Sequence, residues 1–178
     1  GAVGALAGSV SGTVELEGCQ VYLSAQKGHI NTKTEDAPDP WLTGGETAGG
    51  LVGAVRSGAL TVRGSFAATV VQGGSAAGGL VGRALDGAVN VERSYADCYV
   101  YSGDAGAAGG LVGRGSGTCS IAVRNAYAAG FLRAGITGGL AADELDGGDS
   151  LENVYTACAS LSGDALTYST AGRSAQAA

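Results

Sequence analysis

One segment recurs through the chain at a nearly fixed interval, and it constrains the fold more than any other feature. Gly49-Gly50-Leu51-Val52-Gly53 returns as Gly78-Gly79-Leu80-Val81-Gly82 and as Gly109-Gly110-Leu111-Val112-Gly113, then in weaker form as Gly138-Gly139-Leu140-Ala141-Ala142. The leucine spacings are 29, 31 and 29 residues. A second landmark follows each leucine by 15 or 16 residues: Phe66, Tyr95, Tyr127 and Tyr155, each preceded by Arg or Glu and then a small or polar residue. A fixed period between 20 and 50 residues is the signature of a solenoid, a propeller or an array.

The segments between these landmarks alternate. Leu60 and Val62, Val89 and Val91, and Ile121 and Val123 stand six and four residues before the aromatic; in the last copy only Leu151 keeps the pattern, with Asp149 at the other place. Apolar residues at every second position read as strands. A second strand follows each aromatic, over 67–71, 96–100, 128–132 and 156–160. Asp97 marks the parity that faces water, so Ala96, Cys98 and Val100 face inward.

One such copy cannot bury its apolar face alone, but stacked copies can. Equivalent residues then lie above one another at the inter-strand spacing of roughly 4.8 Å, and each coil pairs the edge of the last. The small residues agree with a narrow interior. A propeller blade needs about 40 to 45 residues, and leucine-rich repeats need an Asn ladder that is missing here. The expectation is therefore an all-β chain, a parallel β-solenoid of about five coils over 1–48, 49–77, 78–108, 109–137 and 138–166. The first coil carries a loop insertion at 24–47, and 167–178 forms a tail. The stacked residues are Leu51, Leu80, Leu111 and Leu140, with Phe66, Tyr95, Tyr127 and Tyr155 beside them.

Composition excludes the main rivals. The 178 residues include 34 glycines but only two prolines, with 45% hydrophobic and 15% charged residues. Glycine at that density is incompatible with long helices, the absence of a Gly triplet period excludes collagen, and the apolar content argues against disorder. A net charge of -6 repels phosphate backbones, so nucleic acid is not an expected partner. No stretch reads as a membrane span or signal peptide. Met is absent throughout, which points to a start lost by processing or, the favoured reading, to a fragment of something larger.

The Gly-Gly-Leu-Val-Gly segments, followed by Ser94-Tyr95-Ala96 or Asn125-Ala126-Tyr127-Ala128, resemble GLUG repeats. These occur in tandem in large bacterial surface and secreted proteins, including adhesin-like ones. The resemblance covers roughly 45–163, and 1–23 more loosely through Gly4-Ala5-Leu6-Ala7-Gly8. It implies an extracellular or cell-surface location and a structural or adhesive role, with no catalytic residues to carry over. Ala142 departs from the pattern and puts a regular turn there in question.

The insertion holds the only His and the only Trp of the chain, and His29, Asp36, Asp39 and Trp41 are the candidate binding or assembly loop. Long loops on a rigid scaffold tend to carry function, and a Trp beside carboxylates suits a sugar ring; the plainer reading has Trp41 covering the solenoid wall. His29 alone makes neither a zinc site nor a Cys-His dyad. The carboxylates Glu35, Asp36, Asp143, Glu144, Asp146 and Asp149 read as solvated turns, since glycosidase geometry cannot be seen in spacing. Ser102-Gly103-Asp104 and Ser162-Gly163-Asp164 read as turns, and the calcium nonapeptide series is absent.

Cys98 and Cys158 fall on the inward parity two coils apart, nearly 10 Å at the inter-strand spacing and beyond disulfide reach; all four cysteines read as small buried hydrophobes. No enzyme activity, cofactor or metal is expected. The leading functional reading is a stiff spacer or contact surface. Partners are the chain itself through end-to-end assembly, or a host or cell-surface glycan or protein. The alternatives are a self-assembling filament subunit, favoured by the lack of an evident polar cap at either end, and a carbohydrate-binding or polysaccharide-degrading β-helix.

Overall fold

The structure, a computed structural model, describes residues 1–22, 42–142, 149–162 and 165–173, the last stretch by its backbone. Every regular element among them is a β-strand, and the strands wind into a parallel β-solenoid of about four turns.

Each central coil has three sides. A long strand comes first, as in Val52–Arg63 and Val81–Glu92, followed by a strand that begins at the aromatic landmark, as in Tyr95–Ser102. A three-residue strand, as in Ala76–Gly78 and Ala107–Gly109, closes the coil. The short strands form their own five-stranded sheet, which starts at Ala2–Gly4 and ends at Ile136–Gly138. The other two sides merge into one twelve-stranded sheet, because Ser120–Arg133 and Ser150–Ser162 run unbroken through the corner that interrupts the earlier coils.

The register is the one the period predicts. Leu60 pairs with Val89 and Val89 with Ile121. Tyr95 pairs with Phe66 and with Tyr127, and Tyr127 pairs with Tyr155. Leu51, Leu80 and Leu111 are fully buried. Backbone bonds link them in series: the Leu51 N–H donates to Leu80 O at 2.9 Å, Leu80 to Leu111 O at 2.9 Å and Leu111 to Leu140 O at 2.8 Å. The first copy joins the same ladder, since the Leu6 N–H donates to Leu51 O at 3.0 Å, although its side chain at the open end is 47% exposed.

The glycines of the repeat have a steric cause. A Cβ on Gly50 would strike Gly79 O, one on Gly79 would strike Gly110 O, and one on Gly110 would strike Gly139 O, so successive coils touch backbone to backbone there. The last glycine of the segment is equally confined, a Cβ on Gly113 colliding with Gly82 O and Ala77 O. At the equivalent place the fourth copy has Ala142, and pairing there shrinks to a single bridge between Val112 and Ala141. The added methyl is one the close approach cannot take.

Three expectations need correction. The coil count falls from about five to about four, because among the described residues no short strand follows Ser150–Ser162. Instead Ala165–Arg173, expected as the end of the fifth coil and a tail, pairs antiparallel with Ser150–Ser162. The insertion is also shorter than 24–47, since Leu42–Gly44 pairs with the strand Val70–Gly73 and Thr47–Gly49 with Ala76–Gly78.

Candidate functional site

His29, Asp36, Asp39 and Trp41 lie outside the described residues, as do Glu35, Asp143, Glu144 and Asp146. The functional face that can be built is the outward side of the aromatic strands. Alternation sends Ala96, Cys98 and Val100 into the core, at 0%, 1% and 0% exposure, and leaves Tyr95 and Asp97 outside. Because coils repeat in register, the outward residues form columns.

The aromatic column is a stack of parallel rings. Phe66 and Tyr95 have centroids 4.9 Å apart at 1°, Tyr95 and Tyr127 4.7 Å apart at 4°, and Tyr22 extends the series to Phe66 at 6.3 Å. The 4.9 and 4.7 Å separations match the coil rise, so those rings stack as a consequence of backbone pairing and add about 0.5–1.5 kcal/mol per pair, whereas Tyr22 pairs with Ala68 and reaches the Phe66 ring from two residues along. A second column stands beside it, with Tyr99 stacked on Phe131 at 5.0 Å and edge-on to Tyr101 at 5.8 Å. The Tyr101 hydroxyl is 3.0 Å from Gln72 Oε1. Burial raises the Tyr99 phenol pKa, with Arg133 opposing the shift.

The first column breaks at its last step. Tyr127 and Tyr155 are paired in register but their rings do not stack, and Tyr155 is 61% exposed. A cavity of about 400 Å³ opens there, lined by Tyr127, Ala128, Tyr155, Thr156 and Ala157. Burial first, then Tyr95 and Asp97, raise the Tyr127 phenol pKa, so it stays neutral.

Two further columns flank the corner before the aromatic. Glu17, Arg63, Glu92, Arg124 and Glu152 stand in successive pairing register and alternate in sign. Arg63 Nε lies 3.1 Å from Glu92 and Arg124 Nε 3.4 Å from Glu152, while Arg63 Nη1 also meets Glu15. At these exposures each pair is worth about 0–1 kcal/mol. The next position is left-handed in every coil, with φ of 63° at Gly18, 52° at Gly64, 49° at Arg93, 50° at Asn125 and 51° at Asn153. Asn and Gly tolerate that geometry, and Asn153 Nδ2 donates to Asn125 Oδ1 at 3.0 Å.

The other candidate carboxylates and hydroxyls serve the coil. Asp149 accepts the Ile121 N–H at 2.5 Å, a backbone partner that no spacing argument reveals. Of the two Ser-Gly-Asp segments the serines make equivalent contacts: Ser102 Oγ donates to Gly74 O at 3.2 Å and Ser162 Oγ to Gly135 O at 2.7 Å, while Gly163 and Asp164 lie outside the described residues. Among the described residues no three His, Cys, Asp or Glu side chains group as metal ligands.

Cys98 and Cys158 are buried and unjoined, separated by Gly130, which pairs with both. Burial pushes the Cys98 thiol up to about 12 and the Cys158 thiol up to about 11. Cys19 and Cys119 correct the expectation that all four are buried. Both are only partly covered, Cys19 because it stands at the corner of the first coil, where its N–H donates to Ser65 Oγ at 3.0 Å.

Comparison with known proteins finds no matching family model, no matching curated protein and no matching solved structure. No helix of the described residues is long and apolar enough to cross a membrane.

Proposed function

We propose that this chain is a structural and adhesive repeat unit of a bacterial extracellular protein, working as a stiff contact surface. The observation that carries this reading is the in-register stacking of outward side chains into continuous columns. Rings at 4.7 and 4.9 Å over a backbone paired on both sides give a face that costs little entropy to present, which favours binding by repeated shallow contacts. The resemblance of the Gly-Gly-Leu-Val-Gly copies to GLUG repeats supports the same role and location.

The spacer side of the reading is the weaker one. About four turns at a rise of roughly 4.8 Å span only about 20 Å, so reach requires more coils than these.

A filament gains support from the strand Ala7–Glu17, which pairs on one side alone among the described residues. The opposite end also presents a strand paired on one side alone among the described residues, but an antiparallel one, so a parallel head-to-tail continuation of the coils is disfavoured there. There Ala165–Arg173 occupies the edge of Ser150–Ser162, and stacking Glu152 against Glu17 of a second copy would oppose like charges.

The test is to couple the whole chain to beads and measure adhesion to host cells and to a glycan array, with negative-stain electron microscopy alongside. Adhesion by dispersed particles is expected. Filaments without adhesion would overturn the reading in favour of self-assembly, and adhesion retained after every outward aromatic is replaced would remove the face from it.

A further inference from the structure

The break in the aromatic column has chemical consequences of its own. One face of the Tyr127 ring is covered by Tyr95 at 4.7 Å; the other looks into the cavity of about 400 Å³ beside Tyr155. This space is an open depression rather than an enclosed cavity, since Tyr127 and Tyr155 are both exposed, and it suits a small headgroup laid against a ring.

Its walls are poor in hydrogen-bonding groups. The Thr156 hydroxyl turns inward, where it would lie 2.9 Å from a Cβ placed on Gly139, and Ala128 is fully buried with its methyl on the inward parity. What remains is two phenol rings, backbone and the small side of Ala157. A sugar entering here would leave water with few replacement partners for its hydroxyls, which is costly.

The charges on the two coils that form the slot, Arg124 and Glu152, offset each other at 3.4 Å, which leaves Asp97 and the net charge of the chain to set the sign. Asp97 projects from the same outer face one coil back, since it pairs with Ala129, and it acts electrostatically on Tyr127. The chain as a whole carries -6. Ring faces add negative potential of their own. An anion is therefore disfavoured, and a bare ammonium or guanidinium would find few acceptors for its N–H groups. The ligand that suits apolar walls, ring faces and a negative surround is a cation sheathed in methyl groups.

We propose that the slot between Tyr127 and Tyr155 binds a quaternary ammonium group of the choline type. This deepens the contact-surface reading, and its biological use rests on that reading. Tyr127 supplies the fixed ring face, Tyr155 closes over the methyl groups from the exposed side, and Asp97 supplies long-range attraction. The acidic surface makes choline a better ligand than phosphocholine, whose phosphate is repelled.

The test titrates the whole chain with choline chloride, following the ring signals of Tyr127 and Tyr155 by NMR. Sodium chloride sets the ionic-strength control. Parallel arms use the neutral isostere in which carbon replaces the nitrogen, phosphocholine, and maltohexaose. Choline should shift both rings, with the isostere and phosphocholine weaker by about threefold or more. Tyr155→Ala should lose about tenfold in affinity while circular dichroism is unchanged, and Tyr155→Phe should stay within about twofold, because the ring face carries the contact. Asp97→Asn should weaken binding about threefold and flatten its salt dependence.

Absence of any shift with choline, equal binding of the neutral isostere, tighter binding of maltohexaose, or an unaffected Tyr155→Ala variant would each overturn the proposal. Adhesion is scored separately on the same variants. Adhesion without choline binding overturns the slot and leaves the contact-surface reading standing; choline binding without adhesion does the reverse.

Discussion

Two copies of one repeat behave differently in this molecule. Around Leu51, Leu80 and Leu111 every leucine is fully buried, and the long strands that follow Leu51 and Leu80 are paired on both sides. The copy around Leu140 has the same landmark residues at nearly the same spacing, yet Leu140 is only partly buried and its pairing dwindles to one bridge at Ala141. The difference begins with single atoms. Gly113 sits where a Cβ would strike two carbonyls, and Ala142 brings a Cβ to that place. Farther on, Asp149 replaces the apolar residue found at Leu60, Val89 and Ile121. A solenoid coil is thus held by backbone proximity at the glycines as much as by its apolar filling, and where proximity fails the column of rings opens too.

The largest effect should come from placing a charge in each leucine position. Leu80→Asp should abolish cooperative folding, since an unpaired buried carboxylate costs several kcal/mol. Leu140→Asp should leave the central coils folded and only loosen the last. Urea unfolding followed by circular dichroism checks this, and equal losses would erase the contrast.

Exchanging the glycine logic comes next. Gly79→Ala should cost about 1–3 kcal/mol, the usual penalty of forced overpacking, while Ala142→Gly should raise amide protection around Leu140. Native-state hydrogen exchange reads both.

The buried thiols give a pH effect of intermediate size. The Cys98 thiol titrates near 9.0 when unfolded and at about 12 when folded, so the folded state holds the proton more tightly. That contribution is complete below pH 9.0 and is lost as pH rises toward about 12. Cys98→Ala should therefore flatten the decline of stability across this window, measured by urea titration at several pH values. An unchanged slope would show the thiol to be solvated.

The smallest effect concerns the left-handed corner. Arg93 is the one charged residue among Gly18, Gly64, Asn125 and Asn153, with φ of 49°. Its ion pair to Glu92 at 3.7 Å is exposed and worth little. Arg93→Gly should be neutral to stabilising by up to about 1 kcal/mol, and Gly64→Ala should destabilise by a comparable amount. Thermal melts of both decide it.

Much of this was readable from residue order, for identifiable reasons. Parity around Asp97 fixes which side of the aromatic strand is inside, Tyr99 alone being buried on the outward parity, and a constant phase between Leu51 and Phe66 carries over to Leu80 and Tyr95. The alternating Arg63, Glu92, Arg124 and Glu152, and the left-handed corner beside them, were also present as the positions three and two residues before each aromatic; aligning the copies by their aromatics would have exposed them, though not Glu17, where Gln20 stands in place of the aromatic. The antiparallel return of Ala165–Arg173 was not readable, because alternation marks a strand without giving its direction. Nor was the slot, since Tyr127 and Tyr155 hold the same place in the repeat, each two residues after an Asn, and spacing does not say what either ring meets.

The account stands on coils stacking in the register of the repeat. The most direct measurement is the set of methyl NOEs among Leu60, Val89 and Ile121 in the folded chain, which occupy one column by pairing. Contacts are expected from Leu60 to Val89 and from Val89 to Ile121, with none from Leu60 to Ile121, because two coil rises separate those residues. A Leu60 to Ile121 contact, or the absence of both neighbouring ones, would contradict the solenoid register and with it every column described above.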